Sequence, residues 1–181
     1  EREEVIGFVK SSRKPVVDSV SPYMQLLNAN SYQKGSWVLH MLRRQLGDSV
    51  FKKCIRKYYE TYAGKNADTR DLQKVFESVS GKSLQQFFTQ WLYTAENPKL
   101  KITWKYDEKK QVIFLTVDQL QNQLFEFPLD IAVQSAKARI ERLTISKKTE
   151  TFKIPVNGIP LNIIADLYTS LLSAATVIQV K

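Results

Sequence analysis

The chain has 181 residues, 43% of them hydrophobic, and a formal net charge of +9. That is apolar material for one packed domain or two small ones, and it excludes disorder as a global state. Residues 1–98 carry 15 basic and 10 acidic groups and residues 99–181 carry 12 and 8, with no arginine-rich block, so a solvated lysine-rich surface is expected rather than a nucleic-acid-binding one.

No apolar run approaches the roughly 20 residues that span a bilayer. The opening Glu1-Arg2-Glu3-Glu4-Val5 lacks the basic and apolar regions of a signal peptide and reads as the middle of a helix, with polypeptide expected before it. Cys54 is the only cysteine, so neither an internal disulfide nor a cysteine-built zinc site is expected. The compartment is left open.

Residues 1–10 read as the end of a helix, and Pro15 sets an extended stretch over 11–18. A helix is predicted from about Ser31 to Leu46, with Val38, Leu39, Leu42 and Leu46 as its apolar stripe and Gly47 as its stop. Asp48 is expected to cap the next helix, which runs to about Tyr62 and buries Val50, Phe51, Cys54, Ile55 and Tyr58. Asp68 and Asp71 have the spacing of a capping box before Leu72, Val75, Phe76 and Val79, and Gly81 ends that helix. Ser83 opens a further helix burying Leu84, Phe87, Phe88, Trp91 and Leu92. Short helices with short connections make a compact bundle.

After Asn97-Pro98 the period changes to two. Leu100, Ile102, Trp104 and Tyr106 alternate with Lys99, Lys101, Thr103 and Lys105, and residues 107–110 form a charged turn. Further strands are expected over residues 112–117, 125–133, 138–146, 149–156 and 159–165, with Asn157-Gly158 as a turn. Strands at this spacing indicate an antiparallel sandwich. For the tail, a closing helix over 167–175 and a last strand over 176–180 are expected. The fold class is therefore α+β, with residues 1–97 helical and residues 98–181 a β-sandwich.

The run Ser31-Tyr32-Gln33-Lys34-Gly35 resembles the Tyr-x-Lys-Gly stretch of the M1 family of zinc aminopeptidases. The ordered set around it is also similar to bacterial members: Gly47-Asp48 before an aromatic-rich helix, Thr69 to Glu77, Gly81-Lys82-Ser83-Leu84 leading to Phe87 to Tyr93, and a Pro-containing link into strands. A bare Tyr-x-Lys-Gly is a weak signal; the ordered set is a strong one. The resemblance implies that the helices are the C-terminal half of a thermolysin-like catalytic domain. It implies a parent enzyme that removes N-terminal residues from peptides with the help of zinc. There, zinc polarises the carbonyl, a glutamate takes the proton of the attacking water, and Tyr32 donates to the oxyanion.

By the same resemblance this chain lacks the metal ligands. It has one histidine, His40, and no His-Glu-x-x-His. The family's third zinc ligand lies several tens of residues before the tyrosine, and only 31 residues precede Tyr32, so Glu1, Glu3 and Glu4 are not assigned that role. His40 is read as structural or partly exposed. The chain alone is expected to bind no zinc, to be inactive, and to need an upstream catalytic half that covers an apolar face near Tyr32. Lys34 and Gly35 are read as structural, Gly35 allowing close helix approach. Trp91 and Trp104 are read as core, Tyr58 and Tyr59 as bundle surface. Asp107, Glu108, Asp118 and Asp130 lack metal-type spacing, and the sandwich is read as scaffold. Two alternatives stay open: a non-catalytic M1-like interaction scaffold, and a free-standing binding module.

Overall fold

The computed structural model describes residues 2–135 and 138–180, so Glu1 lies outside the described residues. Contacts divide the chain into two compact units, Glu3–Glu96 and the part from Asn97 onward.

The first unit holds α1 (Arg2–Ser12), a 3₁₀ turn (Tyr23–Leu26), a π-helical turn (Asn30–Lys34), α2 (Gly35–Leu46), α3 (Asp48–Tyr62), α4 (Thr69–Ser80) and α5 (Gln85–Leu92). On α2 the buried side chains are Val38, Met41, Leu42 and Leu46, while Leu39 is exposed. A step of three or four residues keeps a side chain on one helical face, and Leu39 falls one residue off that face. Gly47, at φ 81°, ends α2 by donating its N–H to the Arg43 carbonyl. The same glycine precedes α3 as its N-cap, so Asp48 does not cap; its carboxylate pairs instead with the Arg43 guanidinium at 2.7 Å. Of the expected α3 face only Cys54 is fully buried, and Ile55 is exposed.

Helix α4 starts as its sequence dictates. The Asp68 carboxylate accepts from the Arg70 and Asp71 N–H groups, and Asp71 accepts from the Asp68 N–H in return. Gly81 closes the helix in the left-handed conformation, φ 67°. Phe51 of α3 packs edge-on against Phe76 of α4 with ring centroids 5.7 Å apart. Helix α5 starts two residues later than Ser83 and has no side-chain cap, but it buries Phe87, Phe88, Trp91 and Leu92 as expected.

The second unit is built from β1 (Lys99–Asp107), β2 (Val112–Gln119), β3 (Phe127–Gln134), β4 (Arg139–Ile145), β5 (Thr149–Pro155), β6 (Asn162–Ala165) and β7 (Ala174–Gln179). They form a four-stranded sheet in the order β5-β2-β1-β7 and a three-stranded sheet in the order β4-β3-β6. Ile102 faces Val117 and Trp104 faces Leu115 across β1 and β2; Leu129 faces Leu143 across β3 and β4. The strict alternation along β1 and β2 puts Leu100, Ile102, Trp104, Ile113, Leu115 and Val117 in the core. The fold is α+β, as the change of period indicates.

In this unit, too, the structure departs from the sequence reading. Strand β7 runs parallel to β1, so the sheet is mixed rather than wholly antiparallel. The closing helix over 167–175 is absent. Asp166 and Thr169 have φ of 51° and 52°, which breaks a right-handed helix. The buried Asp166 carboxylate instead accepts the Ser170 and Leu171 N–H groups at 2.6 and 3.1 Å. Burial pushes its pKa up, against those two bonds that lower it. The loop then drops Leu171 and Leu172 into the core before β7 begins.

Candidate functional site

Tyr32 does not sit in a regular helix. It is the middle residue of the π-helical turn Asn30–Lys34, in which the Lys34 N–H reaches back five residues to the Ala29 carbonyl at 2.9 Å. Such a turn inserts one residue into the helical ladder and recurs at functional sites. The Tyr32 N–H donates to Asn28 O at 3.2 Å, and the Ser36 hydroxyl donates to the Tyr32 carbonyl at 2.8 Å. The Tyr32 side chain is 58% exposed.

Its neighbours two residues away on either side are buried: Asn30 at 2% and Lys34 at 0%. The Asn30 amide donates to the carbonyls of Lys14 and Pro15 at 2.8 and 3.4 Å. The Lys34 ammonium donates to the carbonyls of Glu96 and Thr94 at 3.3 and 3.5 Å. Burial holds the Lys34 pKa down to about 8. A cavity of about 250 Å³ adjoins the turn, lined by Phe8, Pro15, Gln25, Leu26, Asn30 and Ser31. The sequence reading took Lys34 as structural, and the structure makes it a buried cation. It missed the π-helical turn and Asn30 altogether.

Gly35 is not held to glycine by crowding within this chain. An added Cβ would meet only the Asn30 carbonyl, at an ordinary 3.8 Å. Among the described residues the close helix approach expected there is absent.

A profile of the peptidase family M1 domain matches residues 8–91, the stretch that contains this turn and all of α2 to α4. Aminopeptidase N of Lactococcus lactis is 32% identical over 102 residues, 55% of this chain and 12% of its own length. Aminopeptidase M1-C of Oryza sativa is 36% identical over 81 residues, 45% of this chain and 9% of its own. Over residues 8–91 the chain is therefore similar to the M1 peptidase domain. A crystal structure of Legionella pneumophila aminopeptidase A in complex with aspartic acid superposes with a TM-score of 0.79 over 91% of this chain and 20% of that one. At 16% identity that likeness speaks to fold. The match to this chain spans about an eighth or less of the length of the Lactococcus and Oryza enzymes.

M1 aminopeptidases are zinc metallopeptidases, and the described residues of this chain do not by themselves fit that metal. Among them no three His, Cys, Asp or Glu side chains converge. His40 is exposed and packs edge-on against Trp37, ring centroids 5.7 Å apart. Glu3 and Glu4 are exposed on α1. The Cys54 thiol is buried, which pushes its pKa up and away from the thiolate a metal needs.

The other residues singled out have structural work. Trp91 and Trp104 are buried in the cores of their own units. Tyr58 packs against Tyr62 at 5.2 Å and Tyr59 is exposed. Asp130 is held by a two-pronged bond from Arg142 at 2.7 and 2.8 Å. Asp118 accepts from the Thr149 hydroxyl, and Asp107 from the Lys110 N–H, which lowers the Asp107 pKa. Among the described residues no helix is long and apolar enough to cross a membrane.

Proposed function

We propose that this chain works as part of a zinc-dependent M1 aminopeptidase that hydrolyses N-terminal residues from peptides, with Tyr32 as its oxyanion donor. The observation that carries the reading is the placement of Tyr32. Within the family-matched stretch, a tyrosine is turned outward on a turn whose flanking side chains are buried and anchored. A phenol held there can donate its O–H to a developing oxyanion, stabilising charge that appears only as the tetrahedral species forms.

In this reading residues 1–97 are the helical part of a catalytic domain and residues 98–181 a β-sandwich domain that supports it. The metal ligands come from polypeptide outside the described residues, and the chain alone turns over no peptide. The exposed apolar run just before the site supports this. Val20 and Met24 are 91% and 75% exposed, with Tyr23 and Leu27 also open. Exposed apolar surface of this kind marks a face that another part of a protein covers.

The test is Tyr32→Phe in a polypeptide that joins this chain to the family's metal-binding half. The expected result is a fall in kcat of about 10² to 10³ with KM little changed. An unchanged kcat overturns the role of Tyr32. Metal-dependent hydrolysis by residues 1–181 alone overturns the reading of the chain as one part of the enzyme.

A further inference from the structure

A lysine with no exposure is an expensive way to fill space. Burying an ammonium is unfavourable, and a methionine of similar length would pack there without that cost. Lys34 therefore does something that packing does not require. Its ammonium spans to two carbonyls, Thr94 O and Glu96 O, on the segment that leaves α5, sixty and sixty-two residues further along the chain.

Asn30 does the same on the other side of Tyr32. Its amide reaches back to the carbonyls of Lys14 and Pro15, sixteen and fifteen residues earlier. The two anchoring segments are themselves joined, since the Val17 N–H donates to the Leu92 carbonyl at 2.9 Å. The bonds close a ring: the turn to residues 14–15, residue 17 to residue 92, and residues 94–96 back to the turn.

Helical geometry explains what the ring achieves. Two residues are roughly half a helical turn. Asn30 and Lys34 thus both lie on the face opposite Tyr32, and fixing them inward fixes the phenol outward. We infer that Asn30 and Lys34 are a pair of positioning residues that clamp the Tyr32 turn from its buried side to two separate chain segments. As a statement about catalysis this rests on the reading of Tyr32 as oxyanion donor; the clamp itself stands on the bonds.

The test is hydrogen exchange by mass spectrometry on the whole 181-residue chain and on two near-isosteric variants, Lys34→Met and Asn30→Leu. In Lys34→Met, exchange should quicken by about tenfold in residues 31–36 and 94–97 and stay unchanged in α3 and α4. In Asn30→Leu, it should quicken by about as much in residues 31–36 and 14–17 and stay unchanged at 94–97. Uniform quickening across α1 to α5, or none in 31–36, overturns the clamp.

A second measurement leaves Asn30 and Lys34 unchanged. The charged groups of the anchoring segments are Lys14, which pairs with Asp18, and Glu96. The Lys34 ammonium itself faces backbone carbonyls, and burial is what moves its pKa to about 8. In tyrosine-ring-labelled protein, with the Tyr32 signal assigned from Tyr32→Phe, that signal should move between pH 7 and 9 with a midpoint near 8. The Thr94 to Glu96 amides should follow the same curve. A Tyr32 signal that does not titrate there overturns the coupling. Neither measurement reads peptidase activity. A Tyr32→Phe enzyme with unchanged kcat would remove the catalytic reading and leave the clamp to be judged on exchange alone.

Discussion

Replacing Lys34 by methionine tests whether its charge is carried at a cost in the folded chain. Its ordinary pKa of 10.5 is lowered to about 8 by burial. A gap of that size corresponds to about 3 kcal/mol by which the fold disfavours the charged form. The sign follows from the protons bound in each state. Between pH 8 and 10.5 the unfolded chain holds a proton at Lys34 that the folded chain has lost, so stability rises with pH across that window. Below pH 8 both states are protonated and Lys34 contributes no slope. Above pH 10.5 both are neutral and the cost is gone.

The assay is urea unfolding followed at 222 nm, which reports the helices, at steps from pH 7 to 10.5, for the wild type and Lys34→Met. Other lysines and the tyrosines titrate alike in both proteins and cancel in the difference. At pH 7 methionine removes the buried charge but strands two carbonyls, at about 1–3 kcal/mol each, so the two proteins should differ by no more than about 3 kcal/mol. As the pH rises from 8 to 10.5, the wild type should gain on the variant by up to about 1.4 kcal/mol per pH unit. A flat difference across that window refutes the reasoning, because the lysine would then have kept its ordinary pKa in the fold.

Tyr32→Phe should leave the urea midpoint of the isolated chain within the error of about 0.5 kcal/mol expected for an exposed site, measured by the same unfolding curve. Gly35→Ala should stabilise the chain by up to about 1 kcal/mol, since it gains helix propensity and meets nothing closer than 3.8 Å; a loss in the thermal midpoint would show that the glycine is needed. Gly81→Ala should cost about 1 kcal/mol or more, because alanine must take the left-handed conformation at φ 67°. Asp68→Ala should cost about 1 kcal/mol through loss of the α4 cap, and the two changes, at opposite ends of one helix, should add when combined in a double mutant.

Much of the fold was legible because its signals are local. The Asp68 and Asp71 capping box, the Gly81 stop and the alternation along β1 and β2 each depend on neighbours within a few residues, and each appears as written. The errors have two sources. At Asp166 the carboxylate takes the Ser170 and Leu171 N–H groups, a bond over four and five residues that apolar periodicity does not register, and a loop stands where a helix was expected. At β7 a distant partner decides, and no local pattern shows that it will join β1 in parallel, sixty and more residues after it.

The site divides along the same line, with one instructive exception. Tyr32 was singled out through its motif, while the two buried residues that flank it were hidden by their polarity. Asparagine and lysine are ordinarily exposed, so an apolar-stripe reading starts the α2 face at Val38. The burial pattern runs further back. Asn30, Lys34, Val38, Leu42 and Leu46 are all buried, four residues apart throughout. The stripe is continuous, and its first two members are polar because the surface they meet there is bare backbone carbonyl. A polar pair that extends an apolar stripe at its own spacing was the available signal. It identifies the turn that presents Tyr32 as an extension of the α2 core, fastened by hydrogen bonds where the helix below it is fastened by packing.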